Sequence, residues 1–235
     1  MKLTTQQIDH LYLFTRQHFV EWHDLQSELV DHLANAIETQ WHENSTLSFD
    51  EVLNVEFKKF GVYGFIDVIR KKQKAMNKKY NNWVWNHFKA FFELPKIIAT
   101  VLVIVALFYF LKFNYYNLEI IRTLFAIQLA IVFFVLIRRE LNKNKNVLNS
   151  KKWLLENTIY RCGNFAGFFY LPLYIVNSAC NSITEINEIS DYFLFGMSFF
   201  LVASGLFFYI ILFEIPSKAQ EYLEKTYPEY KVSNQ

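Results

Sequence analysis

A chain of 235 residues with 53% hydrophobic and only 20% charged positions lies just above the apolar content of soluble domains, and its long apolar blocks after residue 95 argue against a soluble globule. The formal charge of +2 conceals an asymmetry: residues 1–60 hold four Lys/Arg against ten Asp/Glu, a net −6, and residues 61–96 hold eight against two, a net +6. Because the region that can fold in water is the acidic one, direct nucleic-acid binding, which favours a basic folded domain, is not expected.

The polar run Met1 to Gln7 predicts no signal peptide. Thr4 with Gln7 forms a capping-box pattern, and Ile8, Leu11, Thr15 and Phe19 follow at helical spacing, predicting a first helix over residues 5–19. A second helix is predicted from about Glu21 to His42. At about 100° per residue, Trp22, Leu25, Leu29, Leu33, Ala36 and Ile37 share one face of it, whereas Asp24, Glu28, Asp31 and Asn35 share another. His32 falls at the border. Asn44, Ser45 and Thr46 predict a turn. Ser48 with Glu51 is a second capping box, opening a helix lined by Leu53, Phe57 and Phe60 and closed by Gly61. A fourth helix is predicted from about Tyr63 almost to Pro95.

Four apolar blocks follow, at about 95–113, 118–137, 164–181 and 192–213, each within reach of the roughly 17–25 residues a membrane span needs. Lys/Arg in short loops orient such spans. The 138–152 loop carries Arg138, Arg139, Lys143, Lys145, Lys151 and Lys152, whereas the 182–190 loop carries Glu185 and Glu188 and no cation. The expectation is an all-α, multi-pass protein of the inner (cytoplasmic) membrane: a small cytoplasmic helical domain followed by a four-helix transmembrane bundle, with both termini cytoplasmic. Residues 1–75 form an acidic cytoplasmic module, 76–94 a basic and aromatic juxtamembrane helix, 95–213 the spans, and 214–235 a cytoplasmic tail.

Several residues are candidates for chemistry. Glu28 and His32, four apart on one helix, offer two metal ligands where a catalytic zinc needs three, so no metal and no cofactor are expected. Walker, HExxH, GxGxxG and nucleophile-elbow signatures are missing from the sequence, and no enzyme is expected. Arg70, Lys71, Lys72, Lys74, Lys78 and Lys79, with Trp83, Trp85 and Phe88 beyond them, fit a helix resting on an anionic leaflet, where each cation contributes about 1 kcal/mol. Within the apolar blocks, Glu119 is placed to pair with Arg122, and Gln128 and Asn177 suit hydrogen bonds between helices. Pro172 and Gly167 hint at a broken span. Cys162 and Cys180 would lie about 27 Å apart on one helix, too far for a disulfide.

Residues 25–38, with Glu28, Leu29, His32 and Leu33, and the stretch from Ser48-Phe49-Asp50-Glu51 to Phe60-Gly61 resemble the N-terminal module of bacterial HAAS-type proteins, the helix-turn-helix-associated α-helical signalling domain. The resemblance covers roughly residues 5–72. It implies a short acidic helical module followed by membrane helices, and a partner among PadR-like transcription regulators. The expected function is therefore a membrane-anchored regulatory or signalling protein that contacts a cytoplasmic partner through Asp24, Glu28, Asp31, His32 and Asn35. The alternative is a transport or permease accessory protein with a polar cavity lined by Arg122, Gln128 and Asn164. Homo-oligomerisation stays open.

Overall fold

The structure, a computed structural model, describes residues 2–44, 46–146, 151–163, 165, 171–183 and 189–230. Among these the chain is all-helical, in agreement with the all-α expectation. Ser45, the start of the expected third span at 164–170 apart from Phe165, and Glu185 and Glu188 lie outside the described residues.

The chain divides into two compact units, the first made of Met1–Lys78, Asn149–Thr158 and Leu223–Gln235, the second of Lys79–Leu148 and Ile159–Tyr222. The sequence reading closed the first module at residue 75 and kept loop and tail apart from it. The structure instead folds parts of both onto the module.

In the first unit, α1 (Thr5–Gln17) and α3 (Phe49–Lys58) begin with the two expected capping boxes, Thr4/Gln7 and Ser48/Glu51. Each box satisfies two donors that the first helical turn leaves free. The long helix α2 (His23–Glu43) buries Leu25, Leu29, Leu33 and Ile37 as its period demands, and also Gln26 and Val30. These residues share a core with Leu11, Val52, Leu53 and Phe65. Phe14, Phe57, Phe60 and Phe65 meet edge to face at centroid distances of 4.8–5.1 Å, a geometry aromatic quadrupoles favour. The turn after α3 requires glycine twice. Gly61 has φ +80° and Gly64 φ +54°, and a Cβ at Gly64 would come within 2.8 Å of Phe57 Cζ. Helix α4 (Ile66–Ala90) then starts, and the boundary between the units falls inside it, between Lys78 and Lys79. Residues 151–158, including most of α7 (Leu154–Tyr160), and 223–230 complete the unit.

The second unit holds α5 (Lys96–Lys112), α6 (Asn117–Asn146), α8 (Leu171–Ile183) and α9 (Asp191–Tyr209). The π-helical turn Ile210–Glu214 and the short α10 (Ile215–Ser217) extend α9, and α11 (Ala219–Thr226) starts in this unit. Its core is Leu111, Ile121, Phe125, Val176, Cys180, Leu194, Met197 and Leu201. Large apolar side chains such as Leu102, Phe110, Phe134, Ile137 and Phe195 are exposed instead.

Among the described residues, two helices are long and apolar enough to cross a membrane, Asn117–Asn142 and Asp191–Ser217. Four were expected. Helix α5 matches the first expected block but stops at 17 residues between Lys96 and Lys112, the lower edge of spanning length. Helix α8 is described over 13 residues, Leu171–Ile183, and Gly167 with the other residues of 166–170 ahead of Pro172 lies outside the described residues. In the apolar window of α6 only 22% of residues are buried, which distinguishes it from the core helix of a soluble protein.

Candidate functional site

The expected partner face lies on α2, and its members have different environments. Asp24 is half-buried and occupied: its Oδ1 accepts the Leu154 N–H at 3.1 Å and its Oδ2 accepts the Tyr227 hydroxyl at 2.7 Å. Leu154 is the first residue of α7, so Asp24 takes one of that helix's otherwise unpaired donors, and places negative charge at its positive end. Glu28 forms an ion pair with Lys72. The His32 ring packs edge-on against Phe60 with centroids 5.7 Å apart, yet the residue is exposed, as are Asp31 and Asn35. The outward polar edge thus consists of Asp31, His32 and Asn35, and Asp24 and Glu28 bond within the chain.

A hub forms around Asp24. Trp153 is buried and packs against His23, Tyr227 and Tyr230 at 5.4, 4.9 and 5.4 Å. The His23 N–H donates to the Lys152 carbonyl at 2.8 Å, and Lys152 Nζ lies 3.7 Å from Glu21. Burial, then the Lys151 charge, holds the His23 imidazole below its ordinary pKa, opposed by Glu229 and Asp24. Burial and the Asp24 carboxylate push the Tyr227 phenol up, so it stays a protonated donor. Sequence reasoning placed Asp24 by helical angle alone and missed Trp153 and Tyr227, which meet His23 and Asp24 across gaps of 130 and 203 residues.

The expected lipid-facing cations separate into two sets on α4. At about 100° per residue, Arg70, Lys71, Lys74 and Lys78 fall within an arc of roughly 100°, and all four are exposed. Lys72 and Lys79 fall on the other side. Lys72 meets Glu28, and Lys79 lies 5.4 Å from the Trp83 ring centroid, its pKa lowered by burial.

Within the second unit, Glu119 and Arg122 pair at 2.6 Å as expected, and Arg122 also donates to Asn181 Oδ1 at 2.9 Å. Gln128 bonds across helices, its amide N–H to the Leu201 carbonyl at 3.0 Å and its oxygen from Ser204 at 3.2 Å. Asn177 is exposed, and Asn164 and Gly167 lie outside the described residues. A cluster the sequence did not suggest joins His87 Nδ1 to Glu214 at 2.8 Å and His87 Nε2 to the Tyr222 hydroxyl at 2.8 Å, with Tyr222 stacked on Trp83 at 3.9 Å. No spacing signal reveals it, because its members lie on three separate helical segments. Comparison of the chain with protein-family models, with curated proteins and with solved structures finds no match.

Proposed function

We propose that this chain is a membrane-anchored, non-enzymatic regulatory protein whose cytoplasmic helical unit binds a partner protein. The observation that carries the reading is the exposed polar edge of α2, Asp31, His32 and Asn35, on a helix whose opposite face is a packed core. Two helices able to cross a membrane and the exposed cationic arc of Arg70, Lys71, Lys74 and Lys78 support the anchor. The cations suit an anionic leaflet. The further elements of the proposal are four spans, a cytoplasmic location for both termini, an inner-membrane address and kinship of residues 5–72 with HAAS-type modules. The partner is a cytoplasmic transcription regulator of the PadR-like class with a basic surface. The bonds that Arg122 and Gln128 make between helices favour this reading over a transport path, which would leave such groups facing water.

The test is crosslinking in intact cells followed by capture through a C-terminal tag and mass spectrometry. A transcription regulator recovered with the native chain and lost with Asp31→Lys/Asn35→Lys supports the proposal. Recovery that is unchanged by this double substitution, or recovery of transport components alone, overturns it.

A further inference from the structure

A cleft of about 320 Å³ opens in the first unit, lined by Arg16, Glu21, His23, Gln26, Lys151 and Lys152. Three permanent cations face one carboxylate, and Glu21 lies 3.7 Å from Lys152, leaving a surplus of two positive charges. Converging like charges repel unless an anion lies between them. The cleft is also built rather than a chance meeting of surface side chains. Gln26 is 4% exposed; its Nε2 donates to the Val20 carbonyl at 2.6 Å and its Oε1 receives Arg16 Nε at 3.5 Å, so a buried amide positions the guanidinium. The His23 N–H to the Lys152 carbonyl at 2.8 Å fastens the two lysines to the start of α2. Helix α2 begins at His23, and Trp22 at its N-cap supplies no side-chain cap, so the positive end of the helix adds to the field.

We propose that this cleft binds a phosphate group. Arg16 offers a planar fork to two oxygens, and Lys151 and Lys152 act as point charges. The volume admits a diphosphate or a phosphate ester with a small attached group. The source is either a soluble phosphate compound or a lipid headgroup. Occupancy ties the α1–α2 turn to residues 151–152 and so stabilises the hub around Asp24. The inference does not rest on the partner reading, since anion binding and partner capture are measured separately.

The test uses the full chain in two kinds of nanodisc. In phosphatidylcholine discs, pyrophosphate is titrated at constant ionic strength against chloride; in discs containing phosphatidylglycerol no pyrophosphate is added. Hydrogen exchange of residues 151–158 is the readout. Protection in the first arm identifies a soluble phosphate compound, and protection in the second a headgroup; either supports the site. Arg16→Gln and Lys151→Gln are each expected to weaken binding about tenfold, and Glu21→Gln to tighten it severalfold, an opposite sign that misfolding cannot produce. Lys58→Gln, exposed at the end of α3 and outside the cleft, leaves binding unchanged. Absence of protection in both arms, or equal weakening by Lys58→Gln and Arg16→Gln, overturns the proposal.

Discussion

Asp24→Ala tests the hub most directly. The substitution removes the acceptor for the Leu154 N–H and for the Tyr227 hydroxyl. The first loss resembles that of a helix cap, about 1 kcal/mol. The second is a hydrogen bond to a charged group, about 1.5 kcal/mol at the low end suited to a half-buried carboxylate. Together they amount to about 2–3 kcal/mol, which at 1.4 kcal/mol per decade corresponds to local opening about 30- to 150-fold more frequent. Hydrogen exchange of residues 151–158 and 223–230 reads this in the intact protein. Tyr227→Phe keeps the ring against Trp153 and loses the hydroxyl alone, so it is expected to cost about half as much and to affect 223–230 more than 151–158. The double variant falls short of the sum by about 1 kcal/mol, because both changes delete one shared bond. Asp31→Ala, on the exposed edge, is the reference. If Asp24→Ala accelerates exchange no more than Asp31→Ala does, the hub reasoning is refuted.

Two further outcomes follow from other sites. The folded His23 imidazole has a lowered pKa, from burial first and Lys151 second, so the unfolded chain binds its proton more readily; its contribution is full above about pH 6.5 and is lost as pH falls from there toward the folded value. The melting temperature in detergent should therefore drop less between pH 7.5 and 5.5 for His23→Gln than for the native chain, and parallel declines refute the assignment. In the second unit, a Cβ at Gly205 would come within 3.0 Å of Gln128 Nε2, so Gly205→Val displaces the amide and loses its bonds to Leu201 and Ser204, about 1–2 kcal/mol. Gly196→Val, with nothing within 4 Å, is the control, and equal thermal destabilisation by the two would contradict this account.

The helices of the N-terminal module were legible in the sequence, whereas α7 and the tail helix α11 were not. Thr4/Gln7 and Ser48/Glu51 mark helix starts because the bonds they make are local, three residues apart. Leu25, Leu29, Leu33 and Ile37 mark the buried face of α2 because helical period is a property of the backbone alone. Glu119 and Arg122 pair for the same reason. What the tertiary structure decided is what each face meets. Gln26 and Glu56 are polar yet buried, held by Val20 and Arg16 in one case and by Gln40 and Lys59 in the other. Asp24 and Asp31 share a helical face, but only Asp24 meets the loop and the tail. Lys72 and Lys78 belong to one cationic run, but only Lys72 meets Glu28. Angular position within a helix is set by residues a few places apart. The occupant of that position is set by contacts across gaps of 44, 130 and 203 residues, and no local pattern in a chain encodes separations of that size.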